Sequence, residues 1–482
     1  MTAMPRELPV RNPRTGEHDY RITVPDAAGL AALAVRLRAG QQAWADAGVS
    51  RRTAVLQAWS REVLAQAPDA PGSVLAALAV DTGRHLLAGN EVRALGGMVA
   101  GNAAMSAHIL AEAPERASVT PGIGIRTQLV PYGLVGVISP WNFPFLLSML
   151  DTIPALLAGC AVLVKPSEVT PRFVVPLMAS LRDFPELASV LAFVTGDGPT
   201  GAALIEQVDA VCFTGSVATG RMVSEACARR FIPAFLELGG KDPAIVLGSA
   251  EPDRAAALVL RASVQATGQA CQSLERVYVH KDIEAAFTAR LVARAEAVTL
   301  NYPDSRRGQV GPLIFARQAD IIAGQFEDAV AKGARILTGG RIEHHGGGLW
   351  LRPTVVTGVT HDMALMTEET FGPVLPVMPF RDTAEAVRLA NDSIYGLSAA
   401  VFGAEDEALA VARQLTAGAV SINDGGLTTE VFDAEKNAFN LSGLGASRMG
   451  PSGLQRFLRK KALLIQHGTP KDMSSLEEAG PA

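Results

Sequence analysis

Hydrophobic positions change their period several times along this chain, and the changes mark its parts. From Pro25 to about Ala111 they recur at helical spacing. This predicts helices over Ala27 to Ala45, Arg51 to Ala65, Pro71 to Ala79 and Glu91 to Ala111. Met1 to Tyr20 has no period and reads as an extended arm. Between Ala117 and Pro131 apolar and β-branched positions alternate with others at Val119, Ile123, Ile125, Thr127 and Leu129, around a Pro121-Gly122 turn. That pattern predicts a β-ribbon, which needs a partner strand.

Beyond Leu134 short apolar runs alternate with helical segments. Strands are predicted over Leu134 to Ser139, Ala161 to Lys165, Leu191 to Thr195, Ala210 to Phe213 and Ala234 to Leu238. Runs that are apolar throughout are buried on both faces, and strand–helix–strand order implies parallel pairing. This is a doubly wound α/β domain, a common host of a dinucleotide. After Gly240 a second alternation predicts another α/β domain. Its strands fall near Ala244, Arg276, Arg335, Thr354, Val374, Ser398 and Ala419. The tail from Gly453 to Leu464 is apolar and basic, and Met473 to Ala482 reads as frayed.

Length and composition agree with this division. A chain of 482 residues, 48% of them hydrophobic, exceeds one compact core. A net charge of −5 gives no support for nucleic-acid binding, and the basic run Arg456 to Lys461 reads as a solvated face. Four cysteines without a CxxC pair support neither a disulfide framework nor a zinc site. His344-His345 beside three glycines reads as a surface hairpin loop, not a metal site. No apolar stretch approaches the roughly 20 residues of a membrane span, and no secretory h-region is evident. The expectation is a soluble cytoplasmic protein.

The strand ends collect chemistry. In open α/β sheets ligands bind beyond the carboxyl ends of the strands. Here those ends carry Pro140-Trp-Asn-Phe-Pro-Phe145, Lys165-Pro-Ser-Glu168, Thr195-Gly-Asp-Gly-Pro199, Thr214-Gly-Ser216 and Glu237-Leu-Gly-Gly240. Lys165 and Glu168 can serve a nucleotide ribose. Gly215-Ser216, at a helix start, offers N–H groups to a diphosphate. Gly196-x-Gly198-x-x-Gly201 fits a phosphate-loop pattern that is weak by itself. Cys271 lies in a loop between a predicted helix and strand, where nearby donors can make a thiol a nucleophile.

These motifs together resemble the aldehyde dehydrogenase superfamily over about Val10 to Ile465. The resemblance also covers Gly268-Gln-Ala-Cys271, Glu368-Glu-Thr-Phe-Gly-Pro-Val374 and Asn391-Asp-Ser-Ile-Tyr-Gly-Leu397. It implies Cys271 as nucleophile, Asn142 as oxyanion donor and Glu237 as general base. It implies that Trp141, Lys165, Ser167, Glu168, Gly198, Phe213, Gly215, Ser216, Leu238, Glu369 and Phe371 hold or line NAD, with NADP possible. By the same matching, Phe143, Leu147, Leu150, Gln272, Phe432 and Phe439 line the substrate tunnel. The implied organisation is a dinucleotide-binding domain over residues 1–116 and 132–238 and a catalytic domain over 239–430. Residues 117–131 and 453–482 then form an oligomerisation arm and tail, giving a homodimer or homotetramer.

The chemistry suits these roles. A thiolate adds to an aldehyde carbon, the oxyanion needs a preorganised donor, and the thioester left after hydride loss needs an activated water. Two positions depart from the family pattern. Asp151 stands where a lysine is usual, and Ala438-Phe-Asn-Leu-Ser-Gly443 replaces a glycine pair and lysine. No arginine is evident to pair a substrate carboxylate, so the expected substrate is an apolar or aromatic aldehyde. The alternatives are a semialdehyde dehydrogenase and an acylating enzyme that uses coenzyme A. A non-enzymatic scaffold protein would be expected to lack the thiol, amide or carboxylate, and all three are present.

Overall fold

A computed structural model describes residues 6–68 and 70–478. It is a mixed α/β structure organised on two parallel sheets. The first has the strand order Gly443–Leu444, Ala234–Glu237, Ala210–Thr214, Leu134–Ile138, Ala161–Lys165, Leu191–Phe193. All neighbours in it are parallel except the short Gly443–Leu444 strand, which runs antiparallel to Ala234–Glu237. The chain winds to one side of Leu134–Ile138 and then to the other, so a crevice opens at the carboxyl end of that strand.

The second sheet has the order Arg335–Thr338, Thr354–Thr357, Val374–Phe380, Leu274–His280, Asp242–Val246, Ser398–Phe402, Ala419–Ile422. It is parallel apart from its first pair. Apolar clusters built around Phe326 and Phe380 on one side and Phe287 and Leu291 on the other sandwich it. The predicted alternation follows from this double burial.

One helix ties the N-terminal layer to the site. Pro144–Ala158 follows Asn142 and is buried on nearly every face. Its own N-cap, Phe143, offers no side-chain acceptor. Glu91 of the helix His85–Ile109 supplies it instead, accepting from Phe145 N at 3.1 Å and Leu146 N at 3.0 Å. At the other end Trp44 Nε1 donates to Leu156 O at 2.8 Å and Arg52 Nε to Leu157 O at 3.0 Å. The carboxyl at the N-terminus accepts from N–H groups that the helix leaves unpaired, and the cation at the C-terminus matches the helix dipole.

Several expectations need correction. The segment read as an extended arm contains Arg6–Val10, which pairs antiparallel with Tyr20–Val24, because Val10, Ile22 and Val24 bury one face. The tail does not leave the body at residue 453. Leu454 and Phe457 sit in the core of the first sheet, and the strand Leu458–Gln466 begins only after them. That strand pairs with Ile123–Pro131, which also pairs with Arg116–Ala117. Arg456 is not on a solvated face; it turns inward to Asp151. Met473–Leu476 forms a 3-10 turn, and the last four residues of the stretch read as frayed lie outside the described residues.

Candidate active site

The crevice of the first sheet opens into a cavity of about 990 Å³. All eleven residues expected at the cofactor line it, from Trp141 to Phe371, and so do Asn142 and Cys271. Glu237 is not among the lining residues, although Leu238 and Gly239 are.

Asn142 is 3% exposed, and its position is set by buried partners. Its Nδ2 donates to Gln269 O at 3.0 Å. Its own carbonyl accepts from Arg84 Nη2 at 2.5 Å, while Arg84 Nη1 donates to Ala266 O at 2.9 Å. One guanidinium therefore clamps the asparagine loop to the loop before Cys271. Burial lowers the Arg84 pKa to about 10, which still leaves it charged at neutral pH.

The loop before Cys271 is held in an unfavourable conformation. Ala266, Thr267 and Gly268 are all left-handed, at φ 55°, 63° and 66°. Two of them are not glycine, and each such residue costs of order 1–3 kcal/mol. A Cβ at Gly268 would lie 2.2 Å from Gly372 C, so only glycine fits there. The neighbours over-determine the conformation. Thr267 Oγ1 donates to Gly311 O at 3.2 Å and accepts from Gly311 N at 3.0 Å. Gln269, fully buried, donates to Ala266 O and Pro312 O and accepts from Ile314 N at 2.9 Å. Cys271 itself is half-buried. Burial, followed by the nearby Glu369, Asp242 and Glu237 carboxylates, pushes its thiol up to about 12.

Glu237 ends its strand between Thr214 on one side and Gly443 on the other. Burial raises its pKa, while Arg448, Arg456 and Lys436 oppose the rise and Asp151 adds to it. Its charge bears on Cys271 as well.

On the cofactor side Lys165 Nζ donates to Gly196 O at 2.7 Å and lies 3.5 Å from Glu168 Oε2. Burial lowers the Lys165 pKa, and Glu168 partly restores it. Ser216 caps the helix Val217–Arg229 by accepting from Thr219 N at 3.3 Å. The cavity size, the helix start and the Lys165–Glu168 pair fit a dinucleotide. Glu369 accepts from Gly240 N at 3.1 Å, and burial raises its pKa to about 8. Its loop is fixed from below. Lys241 Nζ is 2.8 Å from both Glu275 Oε2 and Thr370 Oγ1, and Glu275 accepts from Thr370 N and Phe371 N at 2.7 Å each.

Sequence comparison adds the deciding observation. Residues 1–463 match the Aldehyde dehydrogenase family. The chain belongs to that family. It is 53% identical to a provisionally assigned aldehyde dehydrogenase, PutA, of Anabaena variabilis, with 97% of this chain and 99% of that one covered and a TM-score of 0.94. Betaine aldehyde dehydrogenase of Staphylococcus aureus, solved as a P449M mutant with NAD+, is 26% identical at a TM-score of 0.90, over 98% and 96% of the two chains. A provisionally assigned NADP+ succinate-semialdehyde dehydrogenase of Mycolicibacterium smegmatis is 36% identical over 94% of this chain and 88% of its own length.

The substrate side of this aldehyde dehydrogenase departs from expectation. Of the six tunnel residues only Leu147 lines the large cavity. Leu150 packs beside Leu147 and Met449, with Phe143 against them. Phe432 and Phe439 are 41% and 44% exposed, on a segment with little regular structure. Gln272 turns toward that segment; with its amide oriented to satisfy both neighbours, its nitrogen donates to Thr428 O at 3.0 Å and its oxygen accepts from Lys436 Nζ at 3.2 Å. Lys436 also donates to Thr428 O at 2.6 Å, which puts an unforeseen cation near Cys271 and Glu237.

Arg84, Gln269, Lys241, Glu275, Lys436 and Arg448 were all missed as site residues. Gln269 and Lys241 alone carried a signal, since each stands in a stretch that carries the resemblance, two residues before the thiol and four after Glu237. Among the described residues no cluster suited to a metal occurs, and no helix is long and apolar enough to cross a membrane.

Proposed function

We propose that this aldehyde dehydrogenase oxidises an aldehyde with an apolar or aromatic body to the carboxylic acid, using NAD in preference to NADP. The observation that carries the reading is the meeting of Cys271 and Asn142 on the cavity lined by the eleven cofactor residues. Cys271 Sγ, once deprotonated, adds to the aldehyde carbon. An amide nitrogen has two N–H groups. One on Asn142 is taken by Gln269 O, which leaves the other for the oxyanion. A bound nicotinamide cofactor, held by Lys165, Glu168, Ser216, Glu369 and Phe371, supplies the hydride acceptor. Glu237 then takes a proton from water as that water attacks the thioester, and Cys271 leaves as the thiolate. A base for water is unneeded in an acylating enzyme, so Glu237 favours hydrolysis.

Glu168 supports the cofactor choice. Its side chain is 43% exposed beside Lys165, so it can accept from a ribose 2′-hydroxyl and repel a 2′-phosphate. Leu147, Leu150, Phe143 and Met449 support an apolar substrate. A second reading, an aldehyde that also carries a carboxylate, is favoured by Lys436. Four free cysteines suit a reducing cytoplasm. The ribbon of Ile123–Pro131 and Leu458–Gln466, with Leu464 71% exposed, suits an arm that pairs subunits.

The test is NADH formation with propanal, hexanal, benzaldehyde and succinate semialdehyde. Hexanal or benzaldehyde should give the highest kcat/KM, and succinate semialdehyde winning would select the second reading. Strict dependence on coenzyme A, or full activity in Cys271→Ser, would sink the hydrolytic scheme. Higher kcat/KM with NADP than with NAD would reverse the cofactor choice.

A further inference from the structure

The position where the family's lysine is missing carries a buried charge cluster. Asp151, on the helix Pro144–Ala158, is 2% exposed. Arg448 Nε donates to its Oδ1 at 3.3 Å and Arg448 Nη2 to its Oδ2, and Arg456 Nη2 also donates to it. The two arginine side chains are 7% and 2% exposed. One anion thus faces two cations out of water, and the cluster carries one positive charge in excess.

That excess is aimed. Arg448 Nη2 also donates to Thr214 Oγ1 at 3.1 Å, and Thr214 is the direct ladder partner of Glu237. On the other side of Glu237, Gly443 pairs with it five residues before Arg448 in the chain. The charged and titratable groups facing Glu237 are Asp151 from the buried helix, Arg448 and Arg456 from the C-terminal segment, Lys436 from the irregular stretch before Asn440–Ser442, and Cys271. Burial would drive the Glu237 carboxyl toward its neutral form, and a neutral carboxylic acid cannot take a proton from water. Arg448 is the first of the charges that oppose this.

We propose that Arg448, anchored by Asp151 and bonded to the ladder partner of Glu237, is a positioning residue for the general base: it keeps the half-buried Glu237 ionised, and Asp151 limits how strongly it does so. The proposal rests on Glu237 being the base. It makes two variants move in opposite directions. Removing the cation should demand a higher pH to ionise Glu237, and removing the anion should allow a lower one.

The experiment follows decay of the acyl-enzyme by rapid quench across pH, with full-length protein, NAD and the most rapidly oxidised aldehyde of the panel above. In Arg448→Gln the acid limb of deacylation should move up by roughly one pH unit, the size expected of one nearby buried charge. In Asp151→Asn it should move down, and in Arg448→Lys it should stay within a few tenths of a unit. If Arg448→Gln does not fold, the double variant Asp151→Asn/Arg448→Gln replaces it, with a limb above that of Asp151→Asn alone. Limbs that stay put, or that move the same way in Arg448→Gln and Asp151→Asn, would overturn the proposal. Glu237→Gln separates the two readings. Unimpaired deacylation in that variant removes Glu237 as base, whereas lost deacylation with unmoved limbs removes only the role of Arg448.

Discussion

Two buried ion clusters lie close to Cys271, and they differ in balance. Lys241 and Glu275 set one charge against one, and their remaining bonds go to Thr370 and to the Thr370 and Phe371 N–H groups. Asp151 faces two arginines, and its cluster keeps a positive surplus beside Glu237. A balanced pair has little field at a distance and acts by holding backbone in place. An unbalanced one acts through its field. Breaking the first should cost structure and rate at every pH, while breaking the second should redistribute rate along the pH axis.

The largest expected effect comes from the balanced pair. Lys241→Met leaves Glu275 buried without its cation and should cost about 3–5 kcal/mol of stability, read by denaturant unfolding. Activity should fall at all pH values without a shifted profile; a displaced profile would erase the distinction between the clusters. Next is Asn142→Ala, which touches neither cluster. It should lower kcat about 10²–10³-fold with the pH profile kept in shape. A drop smaller than about tenfold would remove the oxyanion role.

Glu91 gives a smaller effect of opposite origin, since it is a buried carboxylate with no surplus of cations. Burial raises its pKa to about 7, above an unfolded value near 4.5. The folded state therefore holds the extra proton, and stability contributed by Glu91 is present below about pH 4.5 and is lost as pH rises toward 7. Glu91→Gln should flatten that slope by roughly 1–3 kcal/mol, measured by unfolding at pH 5 and 7.5. An unchanged slope would mean that the cap is not titrating. The smallest effect of a substitution is on the thiol. With Cys271 pushed up to about 12, alkylation of the cofactor-free protein by iodoacetamide should rise about tenfold per pH unit from 7 to 10. Arg448→Gln should slow it at each pH, because Arg448 is a nearby cation that favours the thiolate, with Lys436 left as the other.

Sequence patterns exposed one side of the site and hid the other. The inner strands of both sheets were readable because double burial makes them apolar, whereas the short antiparallel edge strand Gly443–Leu444 was not. Trp141, Lys165 and Ser216 were readable because sheet topology delivers strand ends to one edge, whereas Glu369, which precedes its strand, came only from the family resemblance. What supports them was hidden by distance. Arg84 reaches Asn142 across 58 positions, and Glu275 reaches Phe371 across 96. Neither side chain looks unusual in its own neighbourhood. Arg456 was misread because it opens a basic run whose later members are exposed, and only Asp151 explains its inward turn. Phe432, Phe439 and Lys436 lie where the chain has no period, so no pattern could orient them.

The helix after Asn142 is gripped at its start by Glu91 and at its end by Trp44 and Arg52. The alanine-rich leading segment supplies no reacting group, yet it is the vice in which the oxyanion donor is machined. A chimera that exchanges the first hundred residues with a distant relative would swap no motif and still lose catalytic alignment. Grafts should therefore carry Trp44, Arg52, Arg84 and Glu91 together with the Asn142 turn as one transplantable unit.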